Sequence, residues 1–251
     1  MKDIDFNCDM GESFGIWRMG QDEAVMPWIS SANVACGMHA GDPGTMRATV
    51  ALARDHGVAI GAHVALPDLQ GFGRRSMDIS PEDLHALVIY QLGALDAFTR
   101  SAGVRLHHVK AHGALYHQAG TDDALARAFA DAVRSFDASL YILTQDGSAL
   151  ARAAARHDLR TLREGFVDRG YDVDGHLLRR GLAGSILDPA QAAEQARLMA
   201  TCGQVATPNG ELLAVSVDTL CVHGDRADAA AVAQKVHASL AAAGVHVRAH
   251  P

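Results

Sequence analysis

Short apolar runs alternate along the chain with longer segments in which apolar positions recur every three or four residues. The runs at 4–8, 32–36, 58–64, 106–110, 140–144, 161–167 and 212–217 read as strands, with a last short one at 245–248. The segments at 44–56, 81–102, 121–136, 146–156, 189–201 and 226–243 carry the helical period. In the second of these, Leu84, Leu87, Val88, Gln91, Leu92, Leu95 and Phe98 form one stripe. Several starts are marked: Asp42-Pro43, Ser80-Pro81-Glu82-Asp83 and Asp188-Pro189 each place a capping side chain before a proline suited to the first helical position. Asp225 reads first as the cap of the alanine-rich helix at 226–243.

About seven such alternations predict right-handed β-α-β units on a parallel sheet. A closed or nearly closed β/α barrel is the leading architecture, with a doubly wound open sheet as runner-up. The barrel is preferred because polar residues follow nearly every strand: Asp9, His39, His63, Lys110 with His112, Glu164 with Asp168, and His223. A barrel gathers all such ends on its C-terminal face, whereas an open sheet concentrates them at a switch point. No composition break, linker or strong repeat divides the chain, so residues 1–251 read as one domain.

Composition sharpens this picture. With 49% hydrophobic residues and 24 glycines in 251 residues, there is material for a large core and many tight turns. Aromatics are only 5%, so that core must come from Ala, Val, Leu and Ile. The net charge of −7 argues against a nucleic-acid or anionic membrane partner. No apolar run approaches the ~20 residues of a membrane helix, and acids occupy the N-terminus where a signal peptide would be apolar. A cytoplasmic protein is expected. Cys8, Cys36, Cys202 and Cys221 show no paired spacing and read as reduced thiols.

The candidate chemistry lies at the strand ends. His39 sits between Gly37 and Gly41, and His63, His112 and His223 each close an apolar run beside small residues. On parallel strands these four would face one another. Asp9 and Glu12 enter the glycine-containing loop after the first strand, where turn chemistry and catalysis are equally good readings for Asp9. Lys110 interrupts an apolar run, and a buried ammonium needs a partner. Arg74 and Arg75 end a long loop and suit a carboxylate or phosphate. There is no G-x-S-x-G, no G-x-x-x-x-G-K-[ST] and no G-x-G-x-x-G. Asp9, His39, His63 and His112 are metal-ligand types, but their scattered spacing assigns no metal.

Five blocks carry a resemblance: Asn7-Cys8-Asp9-Met10-Gly11-Glu12-Ser13-Phe14-Gly15, the stretch 31–43, Gly71-Phe72-Gly73-Arg74-Arg75, the stretch 109–116 and the stretch 221–225. In order and spacing they closely resemble the signature blocks of the 5-oxoprolinase A-subunit family, also called the LamB/YcsF lactam-utilisation family. Two positions depart from the family pattern. Val64 follows His63 where the family usually has His-Pro, and Ala111 stands between Lys110 and His112 where it usually has Lys-Pro-His. Each changes a backbone restraint and leaves the reactive groups in place.

The resemblance implies a seven-stranded β/α barrel similar to those of glycoside hydrolases and deacetylases. It also implies ATP-dependent opening of 5-oxoproline to L-glutamate, ADP and phosphate, in a complex with two further subunits. ATP would enter with magnesium, and its site could lie in the partners. On this reading Asp9 is the base, with Glu12 as its alternative, and Lys110 and His112 stabilise or protonate. Arg74 and Arg75 bind an anion, and His39, His63 and His223 complete the substrate site. Two rivals stand beside it: a lone metal-dependent amide or deacetylase-type hydrolase with an ion at Asp9, His39 and His63, and a non-catalytic binding subunit.

Overall fold

Seven parallel strands close on themselves in the computed structural model, which describes residues 2–251. Six of them come first in the chain: β1 (Lys2–Met10), β2 (Ser31–Ala35), β3 (Ala59–Val64), β4 (Leu106–Ala111), β5 (Tyr141–Thr144) and β6 (Arg160–Phe166). A short antiparallel hairpin, β7 (Gln204–Ala206) and β8 (Leu212–Ala214), lies outside the ring. The ring is completed by β9 (Thr219–Val222), which pairs with β6 on one side and β1 on the other. A final β10 (Val245–Val247) pairs in parallel with Lys2–Ile4, at the N-terminal end of β1.

Helices cover the outside: α1 (Asp22–Val25), α2 (Pro43–His56), α3 (Pro81–Ser101), α4 (Gly113–Thr121), α5 (Asp123–Asp137), α6 (Ala149–Arg156), α7 (Pro189–Cys202) and α8 (Ala229–Ala242). The core is the layer between helices and ring. Along β1, Ile4, Phe6, Cys8 and Met10 face this layer and are fully or almost fully buried. From α5 it receives Leu125, Phe129 and Val133 among alanines, whose small size lets a helix lie close to the strands. The closed barrel expected from the strand-end polar residues is therefore the observed fold.

Four local readings need correction. The run at 212–217 is not the seventh barrel strand. Its first residues form β8, with Leu212 54% exposed, while Val215 and Val217 lean on the core from outside. The ring position belongs to Thr219–Val222, which by sequence pattern reads as that strand's polar end; Thr219 and Cys221 face inward and Leu220 and Val222 outward. The segment 121–136 is preceded by a separate helix, α4, and Asp122 caps α5 through the amides of Ala124 and Leu125. Asp225 is not a helix cap: α8 starts at Ala229, and the Asp225 carboxylate lies 2.5 Å from an Arg74 guanidinium nitrogen. The short helix near 146 likewise starts at Ala149, capped by Ser148.

The Asp42 cap performs as its sequence predicts, and it does more. Its Oδ1 accepts from the amides of Gly44 and Thr45, and its Oδ2 accepts from the amide of Gly15 in the loop after β1. These backbone donors hold its carboxyl down to about 2. Because the folded value lies below the ordinary ~3.9 of an aspartate, the stability it contributes is complete above about pH 4. It is lost as the pH falls towards the folded value. Asp42→Ala should cost about 1 kcal/mol at pH 7, a difference that denaturant melts should find shrinking near pH 3.

Candidate active site

Strand alternation sends every second side chain of the ring to its interior, and here that interior is polar. Asp5, Asn7 and Asp9 point inward from β1, Ser31 and Asn33 from β2, His108 and Lys110 from β4, Glu164 from β6 and Thr219 from β9; all are buried. They form one ladder. Ser31 donates to Asp5 Oδ1 at 2.7 Å, Thr219 donates to Asp5 Oδ2 at 2.5 Å, and Asn7 Nδ2 donates to Thr219 at 2.7 Å. Asn33 Nδ2 then donates to both Asn7 Oδ1 (2.8 Å) and Asp9 Oδ1 (2.9 Å), while His108 Nε2 lies 2.8 Å from Asn33 Oδ1. The His108 ring fits because it crosses Gly61, where a Cβ would come within 2.0 Å of it.

At the top of the ladder stands Lys110. Its Nζ is 3.0 Å from Asp9 Oδ1, 2.8 Å from Glu164 Oε1 and 3.0 Å from Cys221 Sγ. Burial alone would lower the ammonium, but Asp9, Cys221 and Glu164 overturn this and hold it well above its ordinary value. Burial alone would likewise raise Asp9; His63 and Lys110 outweigh it, so the carboxyl lies well below the usual range. The Glu164 contact with Lys110 is an ion pair without hydrogen-bond geometry. Among the described residues, both Glu164 oxygens and the Tyr116 hydroxyl lack hydrogen-bond partners.

Beside this pair the strand-end loops bring three imidazoles together. His39 follows β2, His63 lies in β3 and His112 follows β4. The rings of His39 and His112 stack at 3.8 Å, and His63 meets both edge-on. Glu12 joins them, with Oε1 3.1 Å from His39 Nε2 and 3.4 Å from His112 Nδ1. Burial, then the neighbouring imidazoles, hold His39 and His112 well below the ordinary histidine value. Burial, then Asp9, raises Glu12. The loop 68–75 folds over the stack, and Gly73 permits it: with φ at +65°, a Cβ there would lie 2.7 Å from the His112 ring.

The opposite wall holds a second dyad. His223, after β9, has its Nδ1 3.0 Å from Asp168 Oδ1, and its ring stacks on Phe166. Burial would raise Asp168; His223 and Arg226 outweigh it and keep the carboxyl below its ordinary value. An ionised Asp168 fixes the proton on Nδ1 and leaves Nε2 as the free ring nitrogen. Between the two walls lies a cavity of about 630 Å³ at the C-terminal end of the barrel, with Asp9, Lys110, His63, His112 and His223 in its lining. Arg74, Arg179 and Arg180 stand in its lining as cations.

Residues 4–251 match the LamB/YcsF family. The chain belongs to that family. It is 53% identical, over 98% of its own length and 95% of the relative's, to the 5-oxoprolinase A-subunit of Symbiobacterium thermophilum. It is 52% identical to the 5-oxoprolinase A-subunit of Bordetella pertussis over 98% of each chain. The crystal structure of a lactam utilization protein from Thermus thermophilus, 47% identical, matches all of both chains with a TM-score of 0.95.

The family blocks fall around one cavity, but not all of their residues reach it. Asp9, His63, Arg74, Lys110, His112 and His223 line it. Glu12 and His39 stand behind the His63 and His112 rings. Arg75 points elsewhere: it braces the loop by pairing with Asp68, and its side chain is 63% exposed. Sequence pattern does not single out Arg179, Arg180 or the buried ladder. The ladder has a visible signal, the period-two spacing of Asp5, Asn7 and Asp9. The paired arginines sit in a stretch that reads only as a loop or small hairpin.

Proposed function

We propose that this chain is the ring-opening subunit of an ATP-dependent 5-oxoprolinase that works with two partner subunits in the cytoplasm. The observation that carries the reading is one cavity combining a fixed carboxylate–ammonium pair, a His–Asp dyad and a cationic lining. Relatives about half identical over nearly the whole chain are named as 5-oxoprolinase A-subunits, which supports the substrate and the existence of partners.

The chemistry follows from the substrate. A five-membered lactam is a poor electrophile with little ring strain, so phosphorylation of its carbonyl oxygen by ATP is what makes the ring carbon reactive. Water adds to that carbon and gives up a proton to a base in the cavity, Asp9 on this reading. The C–N bond then breaks as the free Nε2 of His223 takes the proton of the new hydroxyl and passes it to the ring nitrogen, with Asp168 countering the transient imidazolium charge, leaving an acyl phosphate. A second water hydrolyses it to glutamate and phosphate. Lys110 counters negative charge developing on the oxygens, and Arg74 with Arg179 and Arg180 holds the anionic ends.

The sequence carries no recognisable phosphate-binding motif for the nucleotide. The α4 start borders the cavity, but its Ala114 amide already donates to the Gly73 carbonyl. We therefore assign the nucleotide to the partner subunits.

The purified chain, given 5-oxoproline, ATP and magnesium, should form no glutamate, and adding both partners should start glutamate formation coupled to ADP release. ATP-coupled turnover by the chain alone would overturn the division of labour. Failure of the full mixture with a folded chain, or amide hydrolysis without ATP, would return the reading to a binding subunit or a lone hydrolase. Within the complex, Arg74→Ala should raise the KM for 5-oxoproline about 10- to 100-fold, the worth of a charged hydrogen bond. Arg75→Ala should leave KM near wild type, because Arg75 faces Asp68 instead of the cavity.

A further inference from the structure

Glu12, His39, His63 and His112 offer four donor atoms that all lie within 4.8 Å of one another, and every one of these residues is buried. Glu12 Oε1 is 3.1 Å from His39 Nε2, 3.9 Å from His63 Nε2 and 3.4 Å from His112 Nδ1, and the last two nitrogens are 2.9 Å apart. Metal–ligand bonds of about 2.0–2.1 Å in a tetrahedron put neighbouring donors about 3.3 Å apart. The four separations, 2.9–3.9 Å, bracket that edge length.

The donor atoms that converge are Nε2 of His39, Nε2 of His63, Nδ1 of His112 and the Glu12 carboxylate. The Nδ1 atoms of His39 and His63 lie on the outer side of their rings, buried and with no partner among the described residues. His112 shows how one of the rings is oriented. Its Nε2 lies 2.8 Å from the carbonyl oxygen of Phe72, which can only accept. That contact fixes the proton on Nε2 and turns the Nδ1 lone pair into the cluster, the arrangement by which a backbone carbonyl orients a metal-bound histidine.

We propose that these four residues hold a divalent first-row transition-metal ion, zinc or a close neighbour, in the wall of the cavity. Three imidazoles with one carboxylate suit zinc, iron, cobalt or nickel and not magnesium or calcium, which take oxygen ligands. The ion would sit between the loop after β1 and the ends of β2, β3 and β4. His63 and His112 connect it to the cavity, and Asp9 Oδ1 lies 3.4 Å from His63 Nε2. With four protein donors already around it, the ion would tie these loops together beside the cavity, and it would meet a substrate oxygen only by taking a fifth ligand. The site rests on donor geometry and not on the lactam-opening reading, so either can fail without the other.

The test is metal binding by the full chain. Protein stripped by a chelator and reloaded with zinc should retain one ion per chain after gel filtration, and zinc should raise its Tm by mass action. Cobalt(II) should give the intense visible absorption of a four-coordinate site. His39→Ala and Glu12→Gln should lose both the retained ion and the cobalt signal, while Arg75→Ala keeps them. Should His39→Ala fold poorly, Glu12→Gln, which keeps shape and removes charge, carries the comparison. No retained ion and no Tm response in the wild type would overturn the site. So would an ion that the His39 and Glu12 variants bind as well as the wild type.

Discussion

Lys110→Met will destabilise the protein by about 3–5 kcal/mol at neutral pH, the cost of removing one partner from a buried ion pair. That is a large share of the ~5–15 kcal/mol that typically separates folded from unfolded chains. Methionine fills the space of the lysine stem, so the loss is electrostatic. The Lys110 side chain is 3% exposed, and Asp9 and Glu164, at 5% and 0%, would become two carboxylates facing each other in a water-poor interior. The pH dependence separates this from a packing defect. In the wild type, Asp9 has a depressed folded pKa, so its contribution is complete above the unfolded value and lost as pH falls below it. In the variant Asp9 loses the ammonium that helped to hold it down against burial, so the penalty is largest at neutral pH and shrinks as pH falls and the carboxyl takes a proton. Denaturant melts at pH 7 and pH 5 should show the gap between the two proteins narrowing. A deficit equal at both pH values would mean that no buried charge had been left unpaired.

The same ladder explains why the barrel is legible in the sequence and its interior is not. Strands of a parallel sheet are expected to be apolar on both faces, so each run is recognised by its hydrophobic members and its polar residues are assigned to the end. That rule works for Asp9, His63 and His223, which do lie at C-terminal ends. It passes over Asp5, Asn7, Ser31, Asn33 and His108, which occupy every second place within the runs and bond to one another across the ring. It also misplaces β9, since Thr219 reads as the polar end of the run at 212–217 until its hydroxyl is seen joining Asp5 and Asn7.

Arg74 and Arg75 show a different limit. They are adjacent and chemically alike, and what separates them is backbone. Phe72 and Gly73 are both left-handed, at φ +55° and +65°, and the turn they make sends Arg74 to the cavity and Arg75 to Asp68. Asp225 is the counterpart: its position suits a cap, yet its carboxylate is taken by the arginine that this turn delivers.

The His–Asp dyad leads to the second large effect. His223→Asn should lower kcat of the reconstituted complex about 10²–10⁴-fold, the range for loss of a positioned acid or base, while KM changes little. The KM should hold because carboxylate binding belongs to Arg74 and its neighbours. Stability should hold better than in Lys110→Met, since the His223 side chain is 14% exposed and its removal leaves Asp168 still beside Arg226. Asp168→Asn tests the mechanism and not merely the position. The asparagine keeps the shape but can turn its amide N–H towards His223 Nδ1, which removes the fixed proton and commits Nε2 to the wrong tautomer. Its kcat should therefore fall with KM unchanged and the melt close to wild type. If His223→Asn leaves kcat within about twofold of wild type, the proton for the leaving nitrogen comes from elsewhere. Lys110 and the histidines of the opposite wall would then be the groups in the cavity left to supply it.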